Sequence, residues 1–137
     1  MENINQLICY ILAIANFAKD IHYTCHGDAF YGKHLLADRI YEGLNDFQDE
    51  IKETLLLGSG YIPLPSKDYN RGADDLTPDV YDNNDKANFD AIKALIERTI
   101  AYIDKIEPKT RAENKLLDDI CADLQQKLGL INLQIKE

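Results

Sequence analysis

The feature that most constrains the fold is the segment of residues 58–84, which is rich in glycine, proline, asparagine and aspartate and divides the chain in two. On each side of it lie two segments in which apolar residues recur every three to four positions, the period of an amphipathic helix. The fourth segment opens with Thr110 and Glu113, a capping-box pair that marks the start of a helix. We predict helices over about 3–25, 30–57, 85–107 and 110–135.

The lengths of the connections limit how these helices can be arranged. The links inside the first pair and inside the second pair are short, so each pair should form an antiparallel hairpin. The middle connection is long enough to cross from one end of a helix of about 40 Å to the other. We therefore predict an all-α four-helix bundle in one domain, 1–137, with a long irregular crossover over 58–84. An up-down-up-down bundle with a flexible insert is the alternative.

The charge balance bears on partners. The chain carries 24 acidic and 15 basic side chains, a net charge of −9, and its first basic residue is Lys19. A phosphate backbone is attracted by lysine and arginine clusters, so we expect no DNA binding. Cations or basic surfaces are more plausible partners, although acidity can also serve solubility alone.

Three further observations concern location. No apolar run approaches the roughly 20 residues of a membrane-spanning helix, and the N-terminus lacks the basic region of a signal peptide. Cys9, Cys25 and Cys121 cannot all pair within one chain, so we read them as reduced thiols. We expect a cytoplasmic protein without a membrane partner.

A polar stripe runs along the second predicted helix. On a helical wheel, Asp38, Asp49 and Glu53 lie within 100° of His34. The apolar positions fall on the other side of the wheel: Leu36, Ile40, Leu44, Phe47, Ile51 and Leu55. A charged stripe of this kind is usually the solvated face of an amphipathic helix.

Two details favour a buried metal site over a solvated face. Leu35 and Leu56 share the face of the stripe, which indicates an interface. His34 and Asp38 lie one turn apart, as two ligands of one ion would.

One helix cannot wrap the whole stripe around one ion, because the His34/Asp38 and Asp49/Glu53 pairs are 15 residues, or roughly 22 Å, apart. Two antiparallel copies can do so if a two-fold axis passes near Gly43, where the glycine allows close approach. Such an isologous interface creates two identical sites, each with one pair from each chain.

The order and spacing of His22, His34, Asp38, Asp49 and Glu53 resemble the ferroxidase signature of the Dps-like mini-ferritins, a branch of the ferritin-like superfamily. The signature has a histidine, a second histidine twelve positions later, an aspartate four later, another aspartate eleven later and a glutamate four after that. All five positions are met. The Glu-x-x-His motif of larger di-iron bundle proteins does not occur in the sequence.

This resemblance implies a fold, an activity and an assembly. The fold would be a ferritin-like four-helix bundle, and two-fold dimers would assemble into a shell of twelve chains. The five residues would bind iron as both ligands and catalytic residues of a ferroxidase. Fe(II) would be oxidised by hydrogen peroxide or oxygen and stored as a ferric mineral.

The sequence also departs from the family. Tyr23 stands where a tryptophan is usual, no Lys/Arg-rich tail is present, and the middle connection has a weak helical pattern where the family has a short helix. The ligand types would also accept zinc or manganese. The alternative function is a non-catalytic ferritin-like interaction protein whose acidic face binds a partner.

Overall fold

The computed structural model describes residues 1–81 and 84–135, which form helices and the segments that connect them. Residues 82–83 of the predicted crossover lie outside this description. The α-helices are α1 (Glu2–Thr24), α2 (Phe30–Tyr41), α3 (Leu44–Glu50), α4 (Ser66–Leu76), α5 (Asp85–Asp104) and α6 (Arg111–Ile135). A π-helical segment, Ile51–Leu56, continues α3 and leads into a 3-10 turn, Leu57–Ser59. The all-α prediction is confirmed.

The bundle is organised around α1, which packs against α2, α3, α4 and α5. α5 also packs against α6, and α6 packs against α2. The apolar positions predicted for the first helix are buried on this central element: Ile4, Leu7, Ile8, Ile11, Ala15 and Ala18. The helix start at Thr110 is capped as predicted, because Thr110 Oγ1 accepts the Glu113 backbone N–H at 3.1 Å. Asn84 Oδ1 also caps the start of α5 by accepting the Ala87 N–H at 3.0 Å, which was not predicted.

α1 is more apolar than we expected from the absence of a continuous apolar run of roughly 20 residues. Within the described residues it is long and apolar enough to cross a membrane by length and composition, and 67% of its most apolar stretch is buried inside the bundle. The central helix of a helical core meets the same criteria, since most of its surface packs against other helices.

The prediction that the crossover is irregular throughout was wrong, because α4 lies within it. Tyr69, which is buried, donates a hydrogen bond from its hydroxyl to Asn5 Oδ1 at 2.6 Å and accepts one from the Leu64 N–H at 3.0 Å. At Gly72, α4 and α1 approach so closely that a Cβ on this glycine would lie 2.5 Å from Cys9 Sγ. α4 shows little apolar periodicity because few of its residues are buried, and packing on α1 stabilises it.

The second predicted helix, 30–57, is not continuous. α2 ends at Tyr41, Gly43 adopts a φ of +82°, and the chain becomes helical again at Leu44. A left-handed φ is readily available only to glycine, so Gly43 has a role within its own chain. The prediction that it serves close approach of two chains stays a prediction.

The π-helical segment changes the register of the residues that follow. A π turn contains more residues than an α turn, so the helical wheel no longer applies beyond Ile51. Leu56, predicted on the polar face, is instead 1% exposed, whereas Leu35 is 50% exposed as expected. The predicted core positions Leu36, Ile40, Leu44, Ile51 and Leu55 are buried, and Phe47 is half-buried.

Candidate metal centre

Two of the predicted ligands meet within the chain. His22 lies in the last turn of α1 and His34 lies near the start of α2. Their imidazole rings stack with centroids 3.6 Å apart and an interplanar angle of 26°. The tight turn between the helices, with left-handed φ values at Gly27 and Ala29, brings the rings together.

A reciprocal pair of hydrogen bonds sets the orientation of both rings. His22 Nδ1 lies 3.1 Å from the His34 carbonyl oxygen, and His34 Nδ1 lies 2.9 Å from the His22 carbonyl oxygen. Because a carbonyl oxygen only accepts hydrogen bonds, each Nδ1 must carry the proton. In the neutral ring, Nε2 then keeps its lone pair, the form in which histidine binds a metal. This backbone support is the usual way in which a protein orients a metal-binding histidine.

Aromatic residues flank the histidine pair. Tyr23 meets the edge of His22 with centroids 5.0 Å apart, and Phe30 stacks on His34 at 5.3 Å. Tyr23 is 75% exposed and Phe30 is 43% exposed, so apolar surface surrounds the half-buried histidines. Nearby, the Lys19 ammonium lies over the Tyr41 ring, 4.3 Å from its centroid.

The α1–α2 turn is attached to the start of α5 through Asp85. This carboxylate accepts hydrogen bonds from the His26 backbone N–H at 3.1 Å and from Lys33 Nζ at 3.0 Å. Burial acts to raise the pKa of Asp85, but the two hydrogen bonds and the positive charge of Lys33 outweigh it, so the pKa lies below its ordinary value. His26 therefore has a structural contact that the sequence did not reveal, and buried Cys25 directs its thiol toward the His22 carbonyl at 3.8 Å.

The three predicted carboxylate ligands are placed differently. Asp38 lies on α2, Asp49 on α3 and Glu53 on the π-helical segment, and all three are exposed. Across residues 1–81 and 84–135, no three histidine, cysteine, aspartate or glutamate side chains come together as a metal site. The single chain thus pairs His22 with His34 and brings none of Asp38, Asp49 and Glu53 together with them as a metal site within the described residues. The site shared between two chains stays a prediction.

One residue near the predicted site was missed by the sequence analysis. Lys127 of α6 is 1% exposed, and its ammonium donates a hydrogen bond to the Glu42 carbonyl oxygen at 2.7 Å. The same ammonium forms an ion pair with Asp123, one turn earlier, at 2.7 Å. The sequence contained a signal, because Lys127 lies on the apolar stripe of α6 between Leu124 and Ile131.

No protein-family model matches this chain, and no curated protein matches it. Among solved structures, it is similar to Dps92 from Deinococcus radiodurans, with a TM-score of 0.68 and 16% sequence identity. The similarity covers 96% of this chain and 82% of the Deinococcus chain. The fold is that of a Dps-type ferritin-like bundle. This confirms the predicted architecture, in which a long crossover joins two helical hairpins.

The Dps-type fold gives the histidine pair a defined position. It lies at one end of the bundle, where the α1–α2 turn meets the start of α5. The carboxylates Asp49 and Glu53 lie beyond the helix break at Gly43, on the far part of the same helical unit.

Proposed function

We propose that this protein is a ferroxidase that oxidises Fe(II) at sites shared between two-fold related subunits and stores the ferric product in a homo-oligomeric shell. The observation that carries the proposal is the reciprocally bonded histidine pair, whose Nε2 atoms are left for a metal. The other metal ligands of each site would be Asp38 of the same chain and Asp49 and Glu53 of the mate.

The ligand set suits this chemistry. Carboxylate oxygens bind Fe(II) and bind Fe(III) more strongly as it forms, and imidazole accepts both oxidation states. With hydrogen peroxide as the oxidant, two Fe(II) ions each give up one electron, and the peroxide takes up two protons and leaves as two waters. Oxygen is the alternative oxidant. Iron is therefore the substrate and the stored cargo.

Exposed apolar side chains support a two-fold interface. Phe30 and Leu57 lie near the two ends of the helical unit, about equally far in sequence from an axis near Gly43. These side chains are 43% and 54% exposed. Apolar surface left open at both ends of the helical unit is typical of a protein–protein contact. We propose that such dimers assemble into the shell of twelve chains known from the family.

Complementation between two inactive variants tests the shared site. One variant carries His34→Ala with Asp38→Ala, and the other carries Asp49→Ala with Glu53→Ala. Each homodimer then has two incomplete sites, whereas a mixed dimer has one site without these ligands and one complete site. We expect co-assembly to restore up to about half of the wild-type rate per mixed dimer, measured by the absorbance of the ferric product.

The control is Asp46→Ala with Glu50→Ala, which removes two exposed carboxylates from α3 outside the ligand stripe. It should oxidise Fe(II) at the wild-type rate. Mixed dimers that are verified by mass but remain inactive would refute the shared site. A stable monomer or lone dimer without iron uptake would instead favour the interaction protein with an acidic face.

A further inference from the structure

Within one chain, the break between α2 and α3 lies between the two pairs of proposed iron ligands, His34/Asp38 and Asp49/Glu53. Glu42 has a ψ of 131°, outside the helical range, so its carbonyl turns away from the helix axis. Gly43 follows with a φ of +82°, and the helix restarts at Leu44. In a continuous helix the geometry of the helix alone would set the angle between the ligand pairs. Here the angle depends on the conformation of residues 42–43.

Lys127 of α6 contacts this break directly. Its ammonium donates to the displaced Glu42 carbonyl at 2.7 Å, so a side chain replaces the helical N–H partner that this carbonyl would have in a continuous helix. The position lies at the C-terminal end of α2, where the helix dipole favours a positive charge.

The Lys127 ammonium is buried, and burial is unfavourable for a positive charge. It is 1% exposed, and burial keeps the pKa of its ammonium below the ordinary value. Asp123 compensates the charge through its Oδ2, which lies 2.7 Å from the Lys127 Nζ. An apolar residue at this position would pack without the desolvation cost, so stability alone does not account for the lysine.

We propose that Lys127 is a positioning residue for the iron site: by holding the Glu42 carbonyl, it sets the direction of α3 relative to α2 and thereby the geometry between His34/Asp38 and Asp49/Glu53. This inference rests on the proposed function. If a two-fold axis passes near Gly43, the same change in conformation at the break occurs in both chains. It therefore moves the ligands of both sites at once. A displacement of about 1 Å is enough to cost roughly a hundredfold in rate in well-ordered sites.

The test compares Lys127→Met with Lys115→Met. The matched control removes another lysine of α6 that also pairs with an aspartate four residues away, Asp119 at 2.9 Å, but that pair is exposed. Fe(II) oxidation is measured as kcat and KM, and Co(II) bound in place of iron is measured by its visible absorption spectrum. Thermal unfolding is recorded for every variant.

We expect Lys127→Met to fold and to lower kcat by about tenfold or more, with an altered Co(II) spectrum. Lys115→Met should match the wild type, and Lys127→Arg should recover part of the lost rate because it restores a donor to the Glu42 carbonyl. If Asp123 without its cation destabilises Lys127→Met, the variant Lys127→Met with Asp123→Leu removes both charges and is measured in the same way.

The outcomes separate this inference from the proposed function. A wild-type kcat and Co(II) spectrum in the folded Lys127 variant would overturn the positioning role and leave the ferroxidase intact. A wild-type protein that oxidises Fe(II) no faster than Asp49→Ala with Glu53→Ala would overturn the proposed function, and the positioning role with it.

Discussion

The two halves of the candidate metal centre differ in how completely one chain builds them. In the histidine half, His22 and His34 are half-buried, stacked and hydrogen-bonded to each other's backbone. In the carboxylate half, Asp49 and Glu53 are exposed, and within the described residues neither side chain has a hydrogen bond or ion pair. The first half is organised before any ion or partner arrives.

The two halves therefore need different sources of order. Stacked histidines can be ordered by local backbone contacts because the α1–α2 turn brings them together. Exposed carboxylates keep their rotamer freedom until something orders them, and ordering them costs conformational entropy. The proposed second subunit would supply that order, together with the apolar contact that surrounds it.

The greatest loss of Fe(II) oxidation without a loss of stability is expected from changes in the carboxylate half. Asp49→Asn with Glu53→Gln should lower Fe(II) oxidation by at least about a hundredfold, since loss even of outer-shell partners costs 10- to 100-fold. Its unfolding free energy should stay within about 0.5 kcal/mol of the wild type, as for other surface substitutions.

His22→Ala with His34→Ala should lose the activity as well, and in addition about 2 kcal/mol of stability, at about 1 kcal/mol for each of the two hydrogen bonds. Parallel kinetics and chemical denaturation check both variants. Equal destabilisation by the two variants would show that the carboxylate half is also built into the single chain.

A smaller effect concerns the attachment of the histidine half to α5. Asp85→Ala should lower the unfolding free energy by about 1–3 kcal/mol, because it leaves the His26 N–H and Lys33 without their acceptor. Asp90→Ala is the control, since it breaks only an exposed pair with Lys86 and should cost about 0.5 kcal/mol or less.

The contribution of Asp85 should also depend on pH. Its folded-state pKa is depressed, so its stabilisation is present above the unfolded pKa of about 3.9 and is lost as the pH falls through the folded value. Urea denaturation at pH 7 and in acid should show the difference between wild type and Asp85→Ala shrinking in acid. A difference that grows in acid would contradict the assignment.

The smallest effect is expected for Gly43, at the break between α2 and α3. Gly43→Ala should cost about 1–2 kcal/mol, because a Cβ at a φ of +82° is strained although no atom lies within 4 Å of it. Gly129→Ala, in the interior of α6 with equally open space, should stabilise by about 0.5–1 kcal/mol. Thermal unfolding of both variants measures the contrast, and a neutral Gly43→Ala would show that the break tolerates other conformations.

Local patterns in the sequence were enough to predict the helical class and most of the core. Apolar spacing predicted the buried positions of α1 and of Leu36, Ile40 and Leu44, because periodicity is a local property of the chain. The Thr110/Glu113 pair marked one helix start for the same reason. The resemblance supplied the ligand pattern, and its ligand assignments for Asp38, Asp49 and Glu53 stay predictions.

Three features were visible only in the folded chain: α4, the break in the second helix and the orientation of the imidazole rings. Tyr69 of α4 bonds to Asn5, which lies 64 positions away in the sequence, and Lys127 bonds to Glu42 at the break, 85 positions away. The Glu42 carbonyl and Gly72 each contact a residue that is distant in the sequence, Lys127 and Cys9. Local periodicity contains no information about such distant partners.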